Sequence, residues 1–191
     1  MKQNKRVAVT GGIGSGKTAL LAIFREMGYF GISCDEVSAQ LWQDETYRSE
    51  LAKIFPSCVC NGAINKSVLS ALVFSDERSR AKLNEFSHPY ILNRVLESMT
   101  SELCFAEVPL LFEGGYEKLF DAVIAVRRAR EARIAAVQSR SGLSRQEIER
   151  RINCQFDESK LEEKRCFIVQ NDGDMNELRA AAQKILAALT R

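Results

Sequence analysis

Residues 11–18 read Gly-Gly-Ile-Gly-Ser-Gly-Lys-Thr and match the pattern G-x-x-x-x-G-K-[ST] at every position. A short Val-rich run at residues 5–10 precedes this segment and predicts a buried strand, and the apolar periodicity after it predicts a helix over 19–27. A glycine-rich turn between a strand and a helix lets backbone N–H groups and the helix dipole converge on phosphate oxygens. The segment therefore predicts a phosphate-binding loop for a nucleotide.

Each residue type in this loop has a physical reason. Glycine allows positive φ and a close approach of the backbone to phosphates, Lys17 brings a cation to the β- and γ-phosphates, and the Thr18 hydroxyl is suited to Mg²⁺. We expect the nucleotide to contact Gly12, Ile13, Gly14, Ser15, Gly16, Lys17 and Thr18.

Strand-like and helical segments alternate along the rest of the chain. Further strands are predicted at 29–34, 103–112, 122–126 and 167–169, and helical blocks at 36–55, 66–99, 127–155 and 177–189. The second block should break or kink at His88-Pro89, and the third at Ser141-Gly142. The alternation predicts an α/β fold, a three-layer parallel sheet of about five strands in one P-loop domain. Within it we expect a helical substrate-binding subdomain at about 36–100 and a lid at about 133–155.

Composition limits the classes of partner. A net charge of +2, from 27 basic and 25 acidic residues, gives no strong field for nucleic acid or an anionic membrane. No apolar run approaches the length of a membrane span, and no export signal is visible, which predicts a cytoplasmic protein. The 6 cysteines lack zinc-site spacing and suit a reducing compartment. The oligomeric state cannot be read from the sequence, and we expect a monomer or a weak homo-oligomer.

A P-loop indicates a nucleotide-binding site but does not specify the reaction. The absence of an N-K-x-D sequence, the short chain and the arginines of the lid segment favour an ATP-dependent kinase of small molecules over a GTPase. Asp35 follows the second predicted strand, where open α/β sheets bind ligands, and could accept a proton from an attacking hydroxyl. Arg140, beside the turn at Ser141-Gly142, suits a guanidinium that a lid closes over the transferred phosphate.

Several motifs occur in a definite order along the chain. The phosphate-binding loop is followed by Ser33-Cys34-Asp35-Glu36, by a segment at 62–74, by the pair His88-Pro89 and by V-P-L-L-F-E at 108–113. Arg140, an R-x-x-x-Q at 151–155, and Asn171 with Gly173 come next. In this order and spacing the chain resembles the dephospho-coenzyme A kinase family along nearly its whole length.

The resemblance implies transfer of the γ-phosphate of ATP, with Mg²⁺, to the 3′-hydroxyl of dephospho-coenzyme A, the last step of coenzyme A synthesis. It implies that Asp35 is the base and Arg140 the lid arginine, and that His88, Pro109, Leu110 and Glu113 belong to the substrate site. Asn171 and Gly173 would lie near the adenine.

The chain also departs from the family pattern. Ser33 replaces an aspartate, Arg133 stands where glutamine is usual, Ala136 where arginine is common and Cys166 where aspartate usually lies. Two alternatives stay open at this point. One is another P-loop kinase of a small molecule or nucleoside monophosphate, and the other is a nucleotide-dependent switch or binding protein.

Overall fold

The computed structural model describes residues 4–190. The chain divides into two compact units, one formed by the residues up to Ser33 and from Met99 onward, and the other by Cys34–Ser98. The strands are β1 (Lys5–Thr10), β2 (Phe30–Ser33), β3 (Val59–Cys60), β4 (Ala63–Ile64), β5 (Leu103–Glu107), β6 (Ala122–Arg127) and β7 (Phe167–Gln170). The helices are α1 (Lys17–Glu26), α2 (Cys34–Leu41), α3 (Glu45–Ile54), α4 (Lys66–Ser75), α5 (Glu77–Ser98), α6 (Arg130–Ser141), α7 (Arg145–Asn153) and α8 (Met175–Leu189).

The first unit is built on a parallel sheet of five strands in the order β2-β5-β1-β6-β7. The pairings of β1 with β5 and β6, of β2 with β5 and of β6 with β7 are all parallel. This confirms the predicted fold class, and it confirms that the segments at 103–112 and 122–126 contain interior strands. β1 is the central strand, so the loop that follows it opens at the middle of the carboxyl edge of the sheet.

A continuous hydrophobic core joins this sheet to α1 and α8. The ring of Phe24 on α1 stacks on that of Phe105 on β5, with centroids 3.9 Å apart. Val7 and Val9 on β1 are fully buried, as is Ile124 on β6. Near-continuous apolar strands of this kind are expected where a parallel sheet is covered by helices.

The second unit is helical except for the two-residue hairpin of β3 and β4. Its interior includes an aromatic cluster in which the Tyr47 ring lies 5.6 Å from both Phe86 and Tyr90. The buried Tyr47 hydroxyl and the Ser87 hydroxyl are hydrogen-bonded at 2.9 Å, which satisfies two polar groups within the unit.

The structure corrects the predicted break at His88-Pro89, because α5 continues through Pro89. The boundary lies instead at Asp76, whose carboxylate accepts a hydrogen bond from the Ser79 N–H at 2.7 Å and so caps the new helix. Phe86 and Tyr90 pack α5 against Tyr47 on α3, and this packing offsets the hydrogen bond that Pro89 cannot donate.

Two other boundaries differ from the prediction. The helical block at 36–55 is two helices, because Asp44 caps α3 by accepting from the Tyr47 N–H at 3.1 Å. The strand predicted at 103–112 ends at Glu107, and the chain then turns at Pro109, which has no N–H for a ladder. Among the helices of residues 4–190, none combines the length and apolar character needed to cross a bilayer.

Candidate active site

The phosphate-binding loop runs from the end of β1 to the start of α1. Gly14 and Gly16 have φ angles of 77° and 101°, a region that favours glycine. Gly16 is the N-cap of α1, and no side chain caps this end of the helix. The first N–H groups of α1 and the positive end of its dipole are therefore available to an anion.

The loop lysine and serine are both enclosed. Lys17 is 8% exposed, and its Nζ donates to the Gly12 carbonyl at 3.2 Å. The buried Ser15 hydroxyl has no hydrogen-bond partner among the residues that the structure describes. A cation and an unsatisfied hydroxyl in one loop are the kinds of group that a phosphate ligand can engage.

Glu107 is a candidate residue that sequence reasoning missed. It ends β5 at 6% exposure, and the Thr18 hydroxyl donates to its Oε1 at 3.2 Å. A hydroxyl beside a carboxylate is a set of hard oxygen ligands suited to Mg²⁺. The available signal was a charged residue inside an apolar run predicted to be an interior strand, since such a position is costly for a carboxylate without a partner.

Residues around the lid segment (133–155) bind the backbone of the loop. The Gln155 side-chain oxygen accepts from the Ile13 N–H at 2.7 Å, and Arg133 Nε donates to the Ile13 carbonyl at 2.9 Å. The side chain of Ile13 packs against a small apolar cluster formed by Ile134, Val137 and Ile148 of α6 and α7. The loop and the lid segment are thus joined through one residue of the P-loop.

Asn171 contacts the loop backbone from the end of β7. Its side-chain amide donates to the Ser15 carbonyl at 2.7 Å, and its own N–H donates to the Arg127 carbonyl at 2.8 Å. In the same turn, Asp172 accepts from the Ala129 N–H at 2.7 Å, which lowers the pKa of its carboxyl. Gly173 is exposed and follows directly. Of the predicted pair, Asn171 therefore contacts the phosphate loop from the side of β6 and β7, whereas no contact of Gly173 with the loop is found among the described residues.

The V-P-L-L-F-E segment forms a turn after β5. Pro109 and Glu113 line a small cavity of about 20 Å³ together with Gly11, Gly12 and Gln155. Glu113 also accepts from the Phe156 N–H at 2.8 Å, so it holds the end of the lid segment. Leu110, by contrast, is 37% exposed and is not among the residues that line this cavity.

Three further residues were predicted for the site. Arg140 is exposed on the last turn of α6, and none of the described residues forms an ion pair with it. Asp35 is exposed in the first turn of α2, two residues beyond the end of β2. His88 is partly buried on α5, and burial lowers the pKa of its imidazole. Asp35 and His88 belong to the second unit.

A five-stranded parallel sheet with a G-x-x-x-x-G-K-T loop after its central strand defines a P-loop fold of the small-kinase class. Shikimate kinase from Bacteroides thetaiotaomicron has this fold, with a TM-score of 0.55 at 15% identity over 98% of this chain and 99% of that one. Within the class, a model of the dephospho-CoA kinase family matches residues 5–177, and the chain belongs to that family.

Individual relatives agree with this assignment. The dephospho-CoA kinase of Thermus thermophilus is 33% identical over 96% of this chain and 91% of its own length. That of Deinococcus radiodurans is 30% identical over 97% and 92%. A crystal structure of a Thermus thermophilus protein matches with a TM-score of 0.82 at 33% identity over the full length of both chains. Dephospho-CoA kinase from Campylobacter jejuni matches with a TM-score of 0.70 at 26% identity over 96% of each.

The activity is accordingly phosphoryl transfer from ATP to a small-molecule acceptor. The γ-phosphate of ATP passes to the 3′-hydroxyl of dephospho-CoA, giving CoA and ADP. The resemblance drawn from the order of the motifs is confirmed.

Proposed function

We propose that the phosphate-binding loop holds the phosphates of ATP, and that Thr18 and Glu107 hold the Mg²⁺ that accompanies them. The observation that carries this proposal is the 3.2 Å contact between the Thr18 hydroxyl and the buried Glu107 carboxylate. A bound Mg²⁺ would neutralise charge on the phosphate oxygens. Lys17 would leave the Gly12 carbonyl and bind the β- and γ-phosphates, where it stabilises the charge of the transition state.

The loop backbone supplies the remaining contacts. Since α1 has no side-chain cap, its first N–H groups can donate to phosphate oxygens. Asn171 supports this arrangement, because it fixes the Ser15 carbonyl and hence the peptide whose N–H belongs to Gly16. Arg140 would contribute a guanidinium from the lid once ATP is bound, and its exposure, with no ion pair to any residue in 4–190, is consistent with this role.

At the acceptor end, we propose that Asp35 orients the 3′-hydroxyl of dephospho-CoA and accepts its proton. An exposed carboxylate that follows a strand at the carboxyl edge of a parallel sheet is available to a substrate. His88 in the helical unit is also proposed for acceptor binding, and so are Pro109, Leu110 and Glu113 in the turn after β5. All 6 cysteines are free thiols, which suits a reducing, cytoplasmic location.

The metal assignment is tested with Glu107→Gln, which keeps the shape of the side chain and removes its charge. We expect kcat to fall about 100-fold, and the Mg²⁺ concentration for half-maximal rate to rise about tenfold, because a carboxylate that holds the metal is lost. The measurement is ADP release against Mg²⁺ concentration with ATP and dephospho-CoA saturating. Glu163→Gln is the matched control, because Glu163 is exposed in the same unit.

The control should stay within about twofold of the wild-type chain, as expected for an exposed side chain outside the site. An unchanged Mg²⁺ dependence and kcat in Glu107→Gln would contradict the metal assignment. The identity of the acceptor is independent of that result, because it is measured by the dependence of ADP release on dephospho-CoA.

A further inference from the structure

Arg133 is a buried cation that the proposed reaction leaves without a role. It lies on α6 and is only 5% exposed. Its Nη1 pairs with Glu158 Oε1 at 2.5 Å, and its Nη2 lies 3.3 Å from Gln155 Oε1. Burial lowers the pKa of the guanidinium, and the charge of Glu158 opposes that effect. A buried cation held by a single counter-ion is a costly arrangement unless further hydrogen bonds satisfy its donors.

A third donor of the guanidinium, the Nε–H, is directed at the phosphate-binding loop. Arg133 Nε donates to the Ile13 carbonyl at 2.9 Å. The guanidinium also covers Gly12 so closely that a Cβ at that position would overlap it and would lie 2.8 Å from Glu158 Oε1. The Arg133–Glu158 pair therefore packs against the backbone of two consecutive residues of the loop.

This contact fixes the orientation of one peptide group. In a trans peptide, the C=O and the N–H point in opposite directions. The Ile13 carbonyl shares its peptide with the Gly14 N–H, so a carbonyl held towards Arg133 directs that N–H to the other side of the loop. The preceding peptide is fixed at both ends as well, because Lys17 Nζ binds the Gly12 carbonyl and Gln155 binds the Ile13 N–H.

Gly14 would otherwise leave this peptide free to rotate. With φ at 77° and no Cβ, it has the largest conformational freedom of any residue type, and ordering it costs free energy. A loop already ordered before the nucleotide arrives does not pay that cost on binding, so its affinity is higher. Fixing the Gly14 N–H should therefore act mainly on the affinity of the loop for the phosphates.

We propose that Arg133 is a positioning residue for ATP: by binding the Ile13 carbonyl it orients the Gly14 N–H towards the phosphates, and Glu158 holds its guanidinium in place for this task. The inference rests on the proposed nucleotide site in the loop. It predicts that Arg133 affects the binding of ATP and has little effect on the binding of the acceptor or on the rate of the chemical step.

The test compares Arg133→Met with the double variant Arg133→Met/Glu158→Met. The single variant leaves Glu158 without its partner, whereas the double variant removes both charges and keeps apolar bulk, which is often neutral for stability. Neither variant can donate to the Ile13 carbonyl. We expect the Kd for ATP to rise about tenfold in both, because ATP must then order this peptide on binding, and fixing the backbone of one residue costs a free energy of that order.

Binding is measured by isothermal titration with ATP, because the stoichiometry reports the folded fraction and the Kd then refers to folded molecules alone. Thermal unfolding without ligand is recorded alongside, and so is the KM for dephospho-CoA. We expect the double variant to regain the thermal stability lost in the single variant without regaining the affinity for ATP. The KM for dephospho-CoA should stay within about twofold in both variants, since the acceptor does not depend on this peptide.

Arg145→Gln is the matched control. Arg145 lies on α7 and is exposed, with an ion pair to Glu131 at 2.7 Å, so the same charge is removed from the same segment without touching the loop. The Kd of Arg145→Gln for ATP should equal that of the wild-type chain.

Arg133→Gln should give an intermediate Kd, because glutamine can donate one N–H to the Ile13 carbonyl.

A double variant that binds ATP within about twofold of the wild-type chain would overturn the inference, and the pair would then be structural only. The nucleotide site itself is tested separately by Lys17→Ala in the same titration. If Lys17→Ala binds ATP as tightly as the wild-type chain does, the proposed nucleotide site fails, and the inference about Arg133 fails with it. If only Lys17→Ala loses affinity, the site stands and Arg133 has no part in it.

Discussion

Glu107 and Arg133 are opposite charges that are almost fully buried beside the same loop. A buried charge is unfavourable unless it is paired, and each of these has a polar partner that belongs to the P-loop. Glu107 accepts from the Thr18 hydroxyl, and Arg133 donates to the Ile13 carbonyl. At the residue scale, the loop is therefore supported from two sides, by the end of β5 and by the base of α6.

The local pattern in the sequence reveals some of these residues and hides others. Lys17 and Thr18 were predicted because their roles depend on spacing within one short motif. Gln155 contacts Ile13 across 142 positions, and Arg133 does so across 120. No local pattern encodes contacts of that range, so Arg133 was noted only as a departure from the family.

His88 offers a prediction at the residue scale, since the chain contains 1 histidine. Burial lowers the pKa of its imidazole in the folded chain, so the unfolded chain binds the proton more tightly. Stability should therefore fall as the pH drops through about 6.5, the ordinary histidine value, and be retained above it. NMR titration of the single imidazole should give a pKa below that value.

The matching stability measurement uses urea unfolding of the wild-type chain and of His88→Gln at about pH 7.5 and 5.5. We expect the wild-type chain to lose more stability between the two pH values than the variant does, because only the wild-type chain carries the buried imidazole. A titration midpoint at or above the ordinary histidine pKa would contradict the expectation.

At the scale of elements, α6 and α7 form a hairpin that is tied to the phosphate loop. α6 ends at Ser141, Gly142 takes a φ of 66°, and Ser144 begins α7 with a capping box to Glu147. The break between the two helices was predicted because glycine marks it directly. The continuity of α5 through Pro89 was not predicted, because the packing that stabilises the helix at this point comes from Tyr47 on α3.

Ile148→Ala tests whether the hairpin and the loop act together. Ile148 is fully buried in the cluster that Ile13 contacts, so we expect a loss of about 2–5 kcal/mol in the stability of this hairpin. Hydrogen exchange should accelerate across α6 and α7, and the KM for ATP should rise because Ile13 loses part of its packing.

Gln146→Ala is the control on the same helix, because Gln146 is exposed and should change neither quantity. Faster exchange in Ile148→Ala with an unchanged KM for ATP would show that the hairpin is independent of the loop. That outcome would remove the coupling inferred from the Ile13 contacts.

At the scale of the whole molecule, the chain combines an α/β unit that carries the phosphate-binding loop with a helical unit, Cys34–Ser98, that carries Asp35 and His88. The parallel sheet follows from alternating apolar segments, and the sequence predicted it correctly. The assignment of the acceptor to dephospho-CoA came from the order of distant motifs, because no single motif specifies it. Phosphoryl transfer requires a site for ATP and a site for the acceptor. Asp35 is the residue proposed to act on the acceptor.

The most direct test of this proposal is ADP release from ATP and Mg²⁺, with and without dephospho-CoA, for the wild-type chain and for Asp35→Asn. Glu36→Gln is the matched control, since Glu36 is the next residue in the same first turn of α2 and is also exposed. Dephospho-CoA should stimulate ADP release by the wild-type chain and by Glu36→Gln. In Asp35→Asn the stimulated rate should fall by about 100-fold or more, because the proton acceptor is missing. Full stimulation of Asp35→Asn would contradict the role of Asp35, and no stimulation of the wild-type chain would contradict the acceptor itself.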